Sequence, residues 1–261
     1  MSRACIICGE TGTSEHYCSY EDAMYLKCRH CGLIYIDVLQ DSSKLYSAYN
    51  GGFFKDLRRK LTMRLRKIEG AKNFSRSLQR AQGIVEFCSR QIAEKEKLKF
   101  FDVGCNKGFL LLAGLERGWD VYGEELIPEL ILPLLNSRQE LQGHVFSGRF
   151  CEVEKKLESN SFDLISVIDV VEHFEDPLSD LKAIRRILSE NGRVIMQTPD
   201  ISCQRAINDK CEWGALKPME HLHLFNCSNF GMLAKKAGFS RMECFPAFEE
   251  ADGNFVVVLG K

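Results

Sequence analysis

The sequence predicts an α/β fold, in which helices cover both faces of a parallel sheet. Three observations predict it. After Lys99, strand-like apolar runs alternate with helical stretches. The first of these runs leads into a glycine-rich turn, and two closely spaced cysteine pairs stand ahead of the alternating region. We therefore expect a large sheet domain over 98–261, a small cysteine-rich module over 1–45 and a helical connector over 46–97.

The composition is that of a globular protein, with 45% apolar and 27% charged residues among 261. No apolar run is long enough to span a bilayer, and the first residues lack the regions of a secretory signal. These features predict a cytoplasmic protein without a transmembrane segment.

Two cysteine pairs dominate the N-terminal module: Cys5-Ile-Ile-Cys8-Gly9 and Cys28-Arg-His-Cys31-Gly32. Each pair fits a tight turn that points both sulfurs at one ion, and the glycine can adopt the positive φ that such a turn requires. The nineteen intervening residues suffice for a β-hairpin. The spacing predicts a closed, structural Zn²⁺ site, with a redox dithiol as the alternative. His16, Cys18 and His30 are weaker spare ligands that we interpret as surface or packing residues.

Eight further cysteines are scattered along the chain. A chain of this length with a substantial core does not need a disulfide framework, so we expect most of the eight to be small buried apolar residues. They are Cys18, Cys88, Cys105, Cys151, Cys203, Cys211, Cys227 and Cys244.

The connector reads as helices with a basic surface. Its segment FFKDLRRKLTMRLRKI spaces apolar residues three and four apart, and residues 55–80 hold ten Lys or Arg against two acids. We interpret this stretch as a solvated face that covers the sheet domain. The alternative is docking of a nucleotide diphosphate, or peripheral membrane contact through 53–80. The acidic remainder of the chain argues against a broad nucleic-acid-binding face.

Five strands are predicted first in the sheet domain: KFFDVG, DVYGEEL, HVFSG, FDLISVID and GRVIMQTP. The helices between and after them include FLLLAGLERG, PLSDLKAIRRILSENG and SNFGMLAKKAG, the last closed by Gly238. Two final strands, SRMECFPAF and NFVVVLGK, are predicted to form a hairpin through a turn at 251–253.

The glycine-rich turn after the first strand is the strongest indication of a ligand site. Such a turn lets the backbone approach a ligand where the strand order of a parallel sheet reverses. By itself the turn would equally suit a dinucleotide. About twenty residues later Glu125 ends the second strand, where a carboxylate can bind both hydroxyls of a ribose.

Five segments together, in this order, resemble a class I methyltransferase that uses S-adenosylmethionine (SAM): DVGCNKG, GEELIP, FDLISVIDVVEHFEDP, LKAIRRILSENGRVIMQTP and HLFNCSNFGMLAKKAGF. The resemblance covers 98–261 and implies a seven-stranded Rossmann-like sheet. With the cysteine pairs in front, the chain is similar to the subgroup with an N-terminal zinc ribbon. That subgroup includes sugar C-methyltransferases and related enzymes of cell-surface polysaccharide biosynthesis.

The resemblance also implies the residues that bind SAM. Those around the methionine part are Asp102, Gly104, Cys105 and Gly108. Glu125 would hold the ribose, while Asp169 and Val170 would lie beside the sulfonium with His173 close by.

The chain departs from the family pattern at two positions. Asn106 replaces a glycine of the turn, and Asn tolerates a positive φ better than most residues. The acid expected near the adenine after the third strand is absent, and a stacked Phe150 or backbone contacts would replace it.

Catalytic residues are expected in the connection 200–226, which would lie over the sheet edge. Glu220 and His221 match a Glu-His pair that serves in base catalysis in sugar C-methyltransferases, with His223 as the spare base. Alternatively, these histidines only bond backbone groups and hold the loop. Tyr46 and Tyr49 match tyrosines that face the active site in the same families, although core packing explains them equally well.

The function expected from these features is SAM-dependent methylation of a small molecule, a nucleotide-linked or lipid-linked sugar. One alternative is a ribosomal or transfer RNA methyltransferase with a zinc ribbon, which the basic stretch favours and the acidic remainder opposes. The other is a non-catalytic SAM-binding module of a biosynthetic complex, which the intact glycine turn and Glu125 oppose.

Overall fold

The computed structural model describes residues 4–12, 14–20, 23–37, 66–217, 220–249 and 253–261, with backbone alone for 66–72. Tyr46, Tyr49, the basic stretch up to residue 65 and most of the expected turn at 251–253 lie outside these residues.

The strands of the described residues are β1 (Ser14–Tyr20), β2 (Ala23–Cys28), β3 (Ile34–Ile36), β4 (Lys99–Val103), β5 (Asp120–Glu125), β6 (Val145–Ser147), β7 (Phe162–Ile168), β8 (Leu188–Pro199), β9 (His223–Leu224), β10 (Arg241–Pro246) and β11 (Asn254–Gly260). The α-helices are α1 (Arg66–Arg90), α2 (Phe109–Glu116), α3 (Pro128–Ser137), α4 (Phe150–Val153), α5 (Pro177–Ile187), α6 (Gln204–Asp209) and α7 (Cys227–Lys236). No helix in this described part of the chain is long and apolar enough to cross a membrane.

Seven strands form one sheet in the order β6-β5-β4-β7-β8-β11-β10. Strands β4 to β8 pair in parallel, while β11 lies antiparallel between β8 and β10. The predicted α/β fold with seven strands is therefore confirmed. The chain leaves β4 toward β5 on one side and reaches β7 on the other, so the strand order reverses between β4 and β7. A ligand crevice is expected at the carboxyl ends of those two strands.

Both faces of this sheet are buried, because alternate residues of each strand point to opposite faces. Phe101, Val167 and Met196 belong to one apolar cluster, and Phe100 and Ile195 belong to the other. This burial explains why the central strands read as nearly continuous apolar runs.

One predicted helix is shorter than expected. The segment PLSDLKAIRRILSENG was expected to be helical throughout, but α5 ends at Ile187 and β8 begins at Leu188. Leu188 is wholly buried and pairs with Phe162 of β7. A Cβ at Gly192 would lie 2.9 Å from the Asp163 carbonyl oxygen. Burial against β7 thus outweighs the helical pattern of this segment.

The N-terminal cysteine pairs belong to a second sheet, with the strand order β1-β2-β3-β9. β1 and β2 form the hairpin that was predicted between the pairs. The fourth strand, His223–Leu224, comes from the sheet domain and pairs antiparallel with β3. The cysteine ribbon, by which we mean the described residues 4–12, 14–20 and 23–37, therefore shares a sheet with the predicted catalytic loop.

The scattered cysteines do not behave as expected. Only two of the eight, Cys88 and Cys105, are buried free thiols. Disulfides join two pairs, one 193 residues apart in sequence and the other 17 apart, and the packing of the ribbon brings the first of these pairs together. Of the remaining two, Cys151 is exposed and Cys203 accepts the Ala206 amide at the start of α6. The disulfides are Cys18–Cys211 and Cys227–Cys244.

Candidate active site

The glycine-rich turn lies between β4 and α2, and two carboxylates at the end of β5 hold it. Glu124 accepts the Gly104 amide at 2.9 Å, and Glu125 accepts the Asn106 amide at 2.7 Å. Gly104 has φ 67°, and a Cβ there would lie 2.7 Å from Val170 Cγ2. Asn106 has φ 50°, which agrees with its expected tolerance of a positive φ. The turn thus exposes backbone to the space beyond the sheet edge.

Burial makes the carboxyl groups around this turn harder to ionise. It raises the pKa of Asp102 to about 7, although the Ser166 hydroxyl donates to that carboxylate. It also raises the pKa of Glu124 to about 8. The pKa of Glu125 is raised by burial too, and the Asn106 and Ile127 amides that donate to it oppose this shift. Glu125 therefore has the backbone support that an ionised ligand-binding carboxylate needs.

A cavity of about 520 Å³ opens beyond the carboxyl ends of β4, β5 and β7. This volume lies within the range of small-molecule sites. Eight of the ten predicted cofactor residues line it: Asp102, Gly104, Cys105, Asn106, Glu125, Asp169, Val170 and His173.

The other two predicted cofactor residues do not line the cavity. Gly108 has φ 74°, and a Cβ there would lie 2.6 Å from Ile131 Cδ1 and closer still to Leu134. A residue without a Cβ at this position therefore leaves room for the side chains of α3. The Phe150 ring lies in the core against Phe174, so it is not available to stack on an adenine.

Asp169 is the most heavily bonded residue of the cavity wall. It follows β7 with φ 58° and accepts bonds from Gln197 at 2.9 Å and Asn254 at 3.3 Å. Arg80 of α1 contacts its other oxygen at 3.2 Å and also pairs with Glu249 at 3.3 Å. These partners hold the Asp169 side chain in place at the cavity wall.

Helix α1 supplies one wall of the cavity, which was not predicted. Ser77, Arg80, Ala81 and Ile84 line it together with residues of the sheet domain. The expectation that the basic connector covers the domain is consistent with this placement. The sequence carries no motif that would single out these four residues.

His173 reaches the cavity from the turn after β7. Its Nδ1 donates to the Glu220 carbonyl oxygen at 2.8 Å, so in the neutral ring Nε2 carries the lone pair. Burial lowers the pKa of His173. A neutral imidazole whose tautomer is set by one hydrogen bond is suited to accept a proton.

The two histidines expected to act as bases lie elsewhere. Glu220 lines the large cavity, but His221 lines a second one beside Trp213 and Lys217. The Nδ1 of His221 bonds to the Ala215 carbonyl at 2.8 Å, and burial together with neighbouring His173 lowers its pKa to about 3. His223 is fully buried in β9 with its ring against Phe225. Neither ring lines the large cavity, because the backbone at this point runs between the ribbon and the sheet domain.

The four ribbon cysteines place their sulfurs within 4.8 Å of one another. Cys5 and Cys31 Sγ lie 3.4 Å apart, and Cys8 and Cys28 Sγ lie 3.5 Å apart. Four thiolates around one Zn²⁺, each with a Zn–S bond of about 2.3 Å, would be about 3.8 Å apart. The residues present therefore fit a tetrahedral metal site.

The two cysteine turns share the predicted backbone geometry. Gly9 and Gly32 have φ 77° and 74°. The amides of Glu10 and Leu33, two residues after each second cysteine, face the sulfurs of Cys8 and Cys31. His16 bonds Ser19 and is not part of the sulfur group.

Comparison with known proteins agrees with this geometry. Residues 73–243, about two thirds of the chain, match the family described as "Methyltransferase domain". The chain is 29% identical over 102 residues to a ubiquinone biosynthesis O-methyltransferase of Pseudomonas aeruginosa, covering 38% of this chain and 44% of that one. It is 32% identical over 104 residues to the Cereibacter sphaeroides protein of the same name, covering 40% and 42%. The matches thus span less than half the length of these relatives.

A solved structure shares the fold. Phosphoethanolamine N-methyltransferase 2 of Haemonchus contortus, in complex with SAM, superposes with a TM-score of 0.55 at 19% identity, covering 70% of this chain and 52% of that one. With the family match and the topology, this likeness establishes what the domain is. The chain belongs to the methyltransferase-domain family, and its sheet domain is that of a SAM-dependent methyltransferase.

Proposed function

We propose that this protein transfers the methyl group of SAM to a hydroxyl-bearing small molecule, with His173 as the general base. The observation that carries the proposal is the position of His173. Its ring lines the same cavity as the glycine turn and Glu125, and its Nδ1 is already committed to the Glu220 carbonyl.

The cavity residues suit SAM in both shape and charge. The backbone at Gly104 and Asn106 would face the methionine part, and Glu125 would hold the ribose hydroxyls. Adenine would be held by neighbouring backbone and by Leu126 or Ile127, which line the cavity where Phe150 does not. When bound, SAM supplies a methyl group on a positively charged sulfur.

The charge of the cavity favours such a cation. Five acidic side chains line it against two basic ones, Arg80 and Lys107, and of the five Asp102 is only partly ionised at pH 7 because burial raises its pKa to about 7. The carboxylates are Asp102, Glu125, Asp169, Glu175 and Glu220. Asp169 is the acid at the switch point between β4 and β7, where the resemblance puts the sulfonium.

His173 would take the proton that the acceptor loses. As the acceptor oxygen gains the methyl group, the bond between that methyl group and the sulfonium sulfur would break and leave a neutral thioether, while the acceptor O–H bond breaks and the proton passes to Nε2. The lowered pKa keeps the ring neutral at pH 7. Because Nδ1–H donates to a fixed carbonyl, the lone pair on Nε2 stays directed away from that bond.

For the acceptor we propose a nucleotide-linked or lipid-linked sugar. The cysteine ribbon ahead of the domain supports this class through the resemblance to sugar methyltransferases. The names of the curated relatives favour oxygen as the methylated atom. The basic stretch 55–80 would suit the diphosphate of such a donor.

The test is methyl transfer from isotopically labelled SAM to a panel of nucleoside-diphosphate sugars, polyprenyl-phosphate sugars, phenols and RNA. His173→Gln should lower turnover by about two to four orders of magnitude, the usual share of a general base. His221→Gln is the comparison variant: the His221 ring packs against that of His173 with centroids 4.8 Å apart but does not line the cavity, so turnover should fall far less than in His173→Gln. With His173 present, the rate should fall as the pH drops, and because burial lowers the pKa of His173 this fall should begin below the pH range in which an ordinary histidine is protonated.

Two results would contradict this proposal. If His221→Gln is the damaging change and His173→Gln is mild, the base is assigned to the wrong histidine. If RNA is the substrate that accepts the label, the small-molecule assignment is wrong.

We further propose that Cys5, Cys8, Cys28 and Cys31 hold one structural Zn²⁺. The fit of their four sulfurs to a tetrahedron supports this. All four ligand positions would be filled by protein, so the metal would stabilise the ribbon without contacting a substrate.

A further inference from the structure

We infer that the cysteine ribbon positions His173, and that Tyr25 is the residue through which it does so. The link is the strap, by which we mean residues 220–224. This inference rests on the proposed role of His173 as the base. It gives a positioning role to a module that was predicted to be only structural.

The ribbon holds the strap from one side. The Tyr25 hydroxyl donates to the His221 carbonyl oxygen at 2.9 Å, and the Ile36 amide donates to the Leu222 carbonyl oxygen at 3.1 Å. β3 then continues the contact by pairing with β9, where Ile34 lies opposite Leu224. Tyr25 is wholly buried, so no solvent competes for its hydroxyl.

The methyltransferase domain holds the strap from the other side. The Leu222 amide donates to the Glu172 carbonyl oxygen at 2.8 Å. His173 Nδ1 donates to the Glu220 carbonyl oxygen at 2.8 Å. Three successive carbonyls of the strap thus accept bonds, the first from His173 of the sheet domain and the next two from Tyr25 and Ile36 of the ribbon.

This arrangement makes the carbonyl that fixes the His173 tautomer dependent on the ribbon. The Glu220 carbonyl is one peptide away from the carbonyl that Tyr25 holds. Without the Tyr25 hydroxyl, a buried carbonyl loses its donor, and the strap gains by shifting to find another. Such a shift loosens the bond from His173 Nδ1, after which the imidazole can exchange its two tautomers.

The ribbon is anchored firmly enough to act in this way. Cys5, Ile7, Leu33 and Tyr35 belong to the same apolar cluster as one face of the large sheet. Lys236 of α7 also donates to the Ile7 carbonyl oxygen at 3.1 Å. The ribbon therefore moves with the sheet domain and provides a fixed reference for the strap.

The experiment compares Tyr25→Phe with the unmutated chain, and Tyr17→Phe is the matched control. Tyr17 lies on β1 of the same ribbon and is half-buried, but the strap contact belongs to Tyr25. The first readout is the ¹⁵N spectrum of the histidine rings, with the His173 signals identified from their loss in His173→Gln. This readout needs neither acceptor nor turnover.

We expect His173 to show the Nδ1–H tautomer in the unmutated protein and in Tyr17→Phe. In Tyr25→Phe its signals should move toward a mixture of both tautomers. Turnover should fall about tenfold, equivalent to a loss of about 1.4 kcal/mol. The affinity for SAM should stay within about twofold, since the amides of the glycine turn are held by Glu124 and Glu125 of β5.

The inference is overturned if Tyr25→Phe leaves both the His173 signals and turnover unchanged. It is also overturned if SAM affinity falls as much as turnover, because that pattern indicates general loss of structure. If Tyr25→Phe fails to fold, the second measurement removes the metal from the unmutated protein with a chelator. Unchanged His173 signals after metal removal would also overturn the inference. Full turnover by His173→Gln would refute the proposed base instead, while the ring spectra would still report on the ribbon.

Discussion

Among single residues, three that are not glycines explain much of the shape of the cavity. Asn106 and Asp169 adopt positive φ, and His173 follows the second of them by four positions. A left-handed residue redirects the chain sharply, so that Asp169 faces the cavity and His173 can return to it. The conformation of Asn106 could be predicted because it replaces a glycine. That of Asp169 could not, because it depends on bonds from Gln197 and Asn254, which are distant in sequence.

Gly108 provides a direct test of the packing account. We expect Gly108→Ala to lower the free energy of unfolding by about 2–5 kcal/mol. The left-handed conformation costs about 1–2 kcal/mol for a residue with a Cβ, and overpacking against Ile131 and Leu134 adds about 1–3 kcal/mol. Chemical denaturation measures the change.

The control for this variant is Gly118→Ala. Gly118 has a similar φ of 79°, but a Cβ there would meet nothing within 4 Å. Its substitution should therefore cost only the conformational part. Equal destabilisation by both substitutions would show that contact with α3 is not the reason for glycine at 108.

At the scale of elements, the strands could be predicted far better than their surroundings. β4, β7 and the second half of β8 are almost wholly buried, so each is a mainly apolar run in the sequence. The wall supplied by α1 and the pairing of β3 with β9 could not be predicted. Both depend on contacts between segments more than a hundred residues apart or on side chains without a distinctive motif.

The histidines show the same limit within the candidate site. The Glu-His pair at 220–221 was predicted to be catalytic, and of these two residues Glu220 lines the cavity. The sequence could not show which ring enters it, because the strap is held by the ribbon on one side and by the sheet domain on the other. His173 was predicted near the cofactor on the family pattern alone, and its bond to the strap carbonyl required the structure.

The metal content of the cysteine ribbon can be tested at the scale of this element. Metal analysis should find one zinc per chain, and Cys28→Ser should lose it because three thiolates no longer close the tetrahedron. Cys151→Ser is the control, since Cys151 is an exposed free cysteine outside the group. SAM binding by the sheet domain should remain largely intact in both variants. Retention of full zinc content by Cys28→Ser would show that the four cysteines are not the ligands.

At the scale of the whole molecule, the two sheets work as one unit around a single crevice. The large sheet provides the glycine turn and the acids at the ends of β5 and β7. The small sheet holds the strap, of which Glu220 and Leu222 line the same crevice. We expect this crevice to bind SAM.

Isothermal titration calorimetry measures the binding of SAM to this crevice. We expect one site per chain in the unmutated protein. Glu125→Ala should weaken binding by about 1–3 kcal/mol, the scale of buried hydrogen bonds to a charged group. Glu129→Ala, at an exposed position at the start of α3, should leave the affinity unchanged. If the folded, unmutated protein does not bind SAM, the assignment of this crevice as the SAM site is wrong.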